Sequence, residues 1–141
     1  MRPGTAILCL CIVSLASPSQ IMGESPPYSL WNTYLGGSAN DRAYAIASDG
    51  EGNVFVGGQT QSFDFPSVAG MDPIEMHGGY DAVVVKLAAD GSAVKAAFSM
   101  GGPGNDGIWD LEVTESGDVL VLGDVAGGYA PPGEACFAGI G

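Results

Sequence analysis

A gapless internal repeat limits what this chain can fold into more than any other feature. Residues 36–60 (GGSANDRAYAIASDGEGNVFVGGQT) overlay residues 101–125 (GGPGNDGIWDLEVTESGDVLVLGDV) at an offset of 65. Eight positions are identical: Gly36/Gly101, Gly37/Gly102, Asn40/Asn105, Asp41/Asp106, Gly52/Gly117, Val54/Val119, Val56/Val121 and Gly58/Gly123. Tyr44/Trp109, Ile46/Leu111, Asn53/Asp118 and Phe55/Leu120 keep their physical character. Such a block is one supersecondary unit, which buries its apolar face by stacking on a neighbour of the same kind.

Each unit reads as β structure. Ala43–Ser48 puts Tyr44 and Ile46 on one side, Asn53–Gly58 carries Val54-Phe55-Val56, and Ala82–Ala88 and Val94–Met100 supply two further runs. Asp49-Gly50-Glu51-Gly52-Asn53 and Glu115-Ser116-Gly117-Asp118 are hairpin-turn chemistry, because Gly and Asx tolerate the positive φ of a tight reversal. The 23 glycines without a Gly-X-Y period point the same way. Four short antiparallel strands per unit predict an all-β fold of β-propeller blades. About one complete blade falls near residues 31–99, with part of a second over 100–141. Gln59–Tyr80 is expected as a long connection, in which Pro66 and Pro73 discourage ladder pairing.

The run WNTYLGGSANDRAYAIASDGEGNVFVGGQTQSFDFP, followed by GGYDAVVVKLAADGS, resembles the seven-bladed β-propeller repeat family (SBBP repeats). The order and spacing of LGG-x-x-ND, GN-V-F-V-x-G, DFP and DA-x-V-x-KL carry the resemblance from Trp31 to Ser99, and a partial copy follows from Gly101 to about Gly123. It implies an exported or cell-surface propeller, mostly bacterial, with no family-wide catalytic residues or cofactor. Val125–Gly141 departs from the pattern, lacking the DFP and DA-x-V-x-KL blocks.

The first residues fit that compartment. Arg2, an apolar run over Ala6–Ala16 too short to span a bilayer, and small residues at Ser14 and Ala16 predict a signal peptide over 1–23, cleaved after Ala16 or Gly23. A buried strand or an uncleaved anchor is the competing reading of so short an apolar run. Cleavage would remove Cys9 and Cys11 and leave Cys136 alone, either a small buried hydrophobe or a thiol seeking a partner in another chain. The region 24–141 is then the repeat domain, with no membrane span after processing. It is too short for two whole units, whereas propellers close with about 4–8 blades. The chain is therefore expected to be a fragment of a longer product; assembly of several copies, or a small sandwich, are the alternatives.

Charge excludes some partners. The formal net charge is −12, from 4 Lys+Arg against 16 Asp+Glu, and Arg2 lies in the leader. Arg42, Lys86 and Lys95 cannot form the clustered basic surface that nucleic acid or an anionic membrane requires. A single remaining arginine also excludes a sialidase-type carboxylate clamp.

Candidate chemistry is sparse. Gly102-x-Gly104-x-x-Gly107 fits a dinucleotide fingerprint, but a strand rather than a helix is expected after it, so it reads as a turn. His77 is the only histidine, which leaves no second imidazole for a triad or a zinc site. Asp41, Asp49, Glu51 and Asn53 offer hard oxygens for a weak Ca²⁺ site, although Asx-turn capping accounts for them without a metal. Trp31, Tyr44 and Trp109 could stack a sugar, yet their place beside the duplicated glycines favours core packing. No catalytic set stands out and no cofactor is expected. The chain reads as a secreted or surface-displayed scaffold for an unidentified protein or carbohydrate, for further repeats, or for itself. The alternative is part of an extracellular hydrolase or lyase whose active site lies elsewhere.

Overall fold

The computed structural model describes residues 9–13, 29–69 and 74–126, and every regular element in them is a strand. In chain order these are β1 (Cys9–Val13), β2 (Ser29–Tyr34), β3 (Asp41–Ser48), β4 (Val54–Thr60), β5 (Asp81–Leu87), β6 (Val94–Met100), β7 (Gly107–Val113) and β8 (Val119–Asp124). β3-β4-β5-β6 form one antiparallel meander, while β1-β2 and β7-β8 form two-stranded sheets. The structure is all-β, as expected.

The duplicated blocks form duplicated hairpins. β3 pairs with β4 through a register shift between Ala43 and Ala45, and β7 pairs with β8 through a shift between Ile108 and Asp110, the same repeat position. Each hairpin turns on a glycine with positive φ, Gly52 at 80° and Gly117 at 90°. There the chain closes with Gly52 N–H donating to the Asp49 carbonyl (3.0 Å) and Gly117 N–H to the Thr114 carbonyl (3.0 Å). A residue with a β-carbon is disfavoured in that conformation.

The 65-residue offset also places β2 on β6, and the pairing follows it. Cys11↔Asn32 and Ile12↔Trp31 are followed, across a register shift, by Val13↔Ser29. Val85↔Ala97 and Lys86↔Ala96 are followed, across a shift at the same place, by Leu87↔Val94. The β1-β2 pair thus repeats the backbone pairing of β5-β6. Part of the apolar run read as a leader, Cys9–Val13, lies here as a strand.

Two apolar faces sandwich the meander. Val54, Val56, Val83, Val85 and Leu87 point to one side and pack with Leu35, Phe65 and the partly buried Trp31 and Ile74. Phe55, Ala82 and Val84 point to the other and meet Ile108, Leu111 and Val119 of β7-β8. β4 is buried along its whole length because it is covered on both faces, so it reads as a continuous run rather than an alternation. Gly57 sets how closely β7 approaches: a β-carbon there would stand 2.7 Å from Leu111 Cδ2 and 2.8 Å from Ile108 Cγ2.

The long connection differs from expectation at its start. Gln59 and Thr60 belong to β4, pairing with Ala82 and Asp81, and both are buried. The Thr60 hydroxyl donates to Asp41 Oδ1, a bond that only the closed sheet supplies and that holds the strand beyond Gly58.

Candidate functional site

The residues that could carry chemistry lie at the two ends of the meander. At one end are the β3-β4 and β7-β8 turns. Asp49 Oδ1 accepts the backbone N–H of Glu51 (3.0 Å) and Asn53 (2.9 Å), and Oδ2 accepts Asn53 Nδ2 (2.8 Å). Lys86 Nζ lies 3.4 Å from Asp49 Oδ2 and 5.0 Å from the centre of the Phe55 ring. Lys95 Nζ donates to Asn53 Oδ1 at 2.9 Å. Burial by itself works against ionisation of Asp49, but the donors from Asn53, Glu51 and Lys86 outweigh it and hold the carboxyl below the usual aspartate range. In the second unit the Thr114 hydroxyl accepts the Asp118 N–H (3.0 Å), as the Asp49 carboxylate accepts that of Asn53. Between the turns an open cleft of about 560 Å³ is lined by Ser48–Glu51, Lys86 and Val113–Gly117.

The four calcium candidates divide. Asp49, Glu51 and Asn53 share this turn, whereas Asp41 opens β3 at its other end, about 23 Å away at the rise of a strand. The oxygens of Asp49 and Asn53 already take N–H groups and the two lysines, so the turn is built as the capping alternative describes. Among the described residues no group of three or more His, Cys, Asp or Glu side chains is arranged to hold a metal ion.

At the opposite end lie the duplicated Asn-Asp pairs. Asp41 Oδ2 accepts the Gly37 N–H (2.8 Å) and Asp106 Oδ2 the Gly102 N–H (2.9 Å), each folding back four residues onto its own loop. Asp41 is completed by the hydroxyls of Thr60 and Ser62. Ser38 and Asp64 close the same loop: Asp64 Oδ1 accepts the Ser38 N–H (2.7 Å) and hydroxyl (2.9 Å), which lowers the Asp64 pKa. The DFP segment is thereby a lid on the GGSAND loop of its own unit. The corresponding loop of the second unit is met by the segment that ends the first unit's long connection. Gly79 N–H donates to the Gly104 carbonyl (2.8 Å), Tyr80 N–H to Asn105 Oδ1 (3.1 Å), and Asp106 N–H to the Tyr80 carbonyl (2.8 Å). The sequence carries both components of this junction, GGYDA and GGPGND, but nothing local to either marks the other as its partner.

Gly107 opens β7, so no helix N-terminus faces the Gly102-x-Gly104-x-x-Gly107 loop for a pyrophosphate to bind. His77 Nε2 lies 3.8 Å from Glu75 Oε2 on the segment leading to Tyr80. Trp31 packs on the core, as expected, and its Nε1 donates to the Ala89 carbonyl (2.8 Å). Tyr44 and Trp109 do not pack in the core: they are 43% and 45% exposed and meet each other across the units in a tilted pair, ring centres 4.7 Å apart. Both sit at the strand irregularities, and Tyr44 lies on the exposed side of β3 together with Arg42 and Ile46. Cys136 lies outside the described residues.

Comparison with known proteins agrees with this geometry. Residues 30–66 match the family model described as a beta-propeller repeat, SBBP. The chain is 35% identical over 103 residues to the "Regulatory protein FlaEY" of Caulobacter vibrioides; the match covers 71% of this chain and spans about a tenth of that relative's length (10%). With the four-stranded meander and its repeated hairpin, these findings identify residues 30–66 as a β-propeller repeat of the SBBP family within an all-β, antiparallel fold.

Proposed function

We propose that this chain is an exported, non-enzymatic scaffold whose working surfaces are the open faces of its repeat units. One observation carries the reading. Leu111 is 7% exposed because it packs on β4 of the preceding unit, while its repeat equivalent Ile46 is 52% exposed. The other side shows the converse: Phe55 is 0% exposed under β7-β8, while its equivalent Leu120 is 57% exposed. One face of the described structure therefore offers what the other accepts. The occupant that fits both is a further repeat unit, which a second copy of this chain supplies in solution, Leu120 and Leu122 of one copy against Ile46 of the next. Burying side chains of this size contributes about 1.5–3 kcal/mol each. A head-to-tail contact of this kind is heterologous and extends or closes into a ring.

Export rests on the basic start and the apolar run over Ala6–Ala16. Cleavage after Ala16 or Gly23 would release β1 and uncover the edge of β2, which has the pairing pattern of β6 and so suits a strand of the β5 type. Among the described residues no helix is long and apolar enough to cross a membrane. A hydrolase or lyase would have to draw its active site from residues beyond those described.

The test is sedimentation velocity of the full chain over a range of concentrations. Association is expected, with Ile46→Asp and Leu120→Asp each weakening it, and an equimolar mixture of the two variants forming a dimer that grows no further. A chain that stays monomeric at every concentration would sink the reading.

A further inference from the structure

The junction between the two units brings together two buried acids, each of which caps its own loop with one oxygen. Asp81 begins β5 and Asp106 precedes β7; their exposures are 0% and 1%. Asp81 Oδ2 accepts the His77 N–H at 2.7 Å, while Asp81 Oδ1 is buried with no hydrogen-bond partner. Asp106 Oδ1 accepts the Ala126 N–H and Oδ2 the Gly102 N–H. Asp81 Oδ1 and Asp106 Oδ2 converge over Gly101: a β-carbon on that residue would collide with the first and stand 2.7 Å from the second. Two like charges with one orphaned oxygen, both out of water, do not coexist at low cost.

The repeat equivalent of Asp106 has a fuller set of donors. Asp41, the equivalent of Asp106, receives on Oδ2 both the Gly37 N–H and the Ser62 hydroxyl. Asp106 Oδ2 receives the matching N–H from Gly102, and the Asp81 carboxyl lies beside it over Gly101. We propose that Asp81 and Asp106 bind one proton between them, carried on Asp81 Oδ1 and donated to Asp106 Oδ2, as a pH-dependent latch between adjacent repeat units. When the proton leaves to solvent, two carboxylates face each other and the junction weakens.

Of the surrounding charges, that of His77 favours the Asp81 carboxylate. His77 and Glu75 lie together on the approach segment, and the Arg42 guanidinium stands 5.1 Å over the Tyr80 ring. Lys86 and Lys95 are committed to Asp49 and Asn53 at the far end of the strands. Asp41 lies across β4 from Asp81 in the ladder, and Asp124 accepts the Trp109 Nε1–H at the end of β8. Burial first, and then the Asp106 charge, raise the Asp81 pKa, against the His77 N–H and the His77 charge. For an acid raised in the folded state, the stabilisation is complete below the unfolded value of 3.8 and is lost as pH rises through the folded value.

Infrared titration of the full chain reads the proton directly. The carbonyl band of one protonated carboxyl is expected to persist after exposed carboxylates have ionised. Asp81→Asn should abolish it, and Asp106→Asn should shift its loss to lower pH by removing the like charge. Asn at 81 keeps a donor toward Asp106, so the denaturation midpoint of the native chain should fall relative to Asp81→Asn as pH rises. A native chain whose last carboxyl band vanishes together with those of exposed acids overturns the proposal, with no need for a variant to fold. So does a band absent at neutral pH together with a calcium-induced rise in Tm that Asp81→Asn removes, which would make the pair a cation site.

Discussion

Asp49 shows how a single side chain can set a local structure and its pH response. Its two oxygens organise Glu51, Asn53 and Lys86 around one turn, with the side chain still in reach of solvent at the cleft. Because the folded pKa lies below 3.8, the unfolded chain binds the proton more readily as pH falls, and the stabilisation present above 3.8 is lost through the lower folded value. Asp64 and Asp90 have the same sign, each through a serine, Ser38 and Ser92. Asp81 has the opposite sign, its contribution being lost as pH rises through its raised folded value, so the two kinds of acid limit stability from opposite sides. Asp49→Ala is expected to cost about 1–3 kcal/mol at neutral pH, with a smaller difference from the native chain in strong acid, read by urea denaturation at several pH values. An equal loss at every pH would show that the carboxylate charge is not what holds the turn.

At the scale of an element, the hairpins depend on backbone conformation rather than contact. Gly117 has a φ of 90° and nothing within 4 Å of the position a β-carbon would take. Any cost of Gly117→Ala is therefore conformational, about 1–2 kcal/mol. Gly50 likewise has nothing within 4 Å of that position, but it is not among the glycines with positive φ. Gly50→Ala should thus be neutral or raise stability by about 0.4–1 kcal/mol, because it restricts the unfolded chain. Thermal denaturation of the two variants separates them by sign; a similar loss in both would mean that the turns are held by something other than the glycine backbone.

For the molecule as a whole, the meander and the β7-β8 hairpin share one buried interface, so they should unfold together. Leu111 and Ile108 close on Gly57, Phe55 and Val84, which joins the two units through side chains of three strands. Leu111→Ala should cost about 2–5 kcal/mol, the range for a buried leucine that leaves a cavity. Hydrogen exchange should then speed up in β4 as well as in β7. Faster exchange confined to β7-β8 would show that the second unit is an appendage rather than part of one cooperative structure.

What the sequence determined by itself was local and periodic. Alternation marks β3 and β6, apolar runs mark β4 and β5, Gly and Asx mark the turns, and the offset of 65 specifies two equivalent hairpins. These features rest on neighbouring residues, and period-2 patterning with tight turns is written within a few positions. Tertiary structure decided whatever depends on which distant groups meet. It set Asp41 apart from Asp49, carried β4 on to Thr60, brought the exposed Tyr44 and Trp109 together across the units, and brought Asp81 against Asp106 across the junction. It also made identical repeat positions unequal, burying Leu111 and exposing Ile46. The reason is that burial belongs to a pair of surfaces, and one sequence position specifies only its own half.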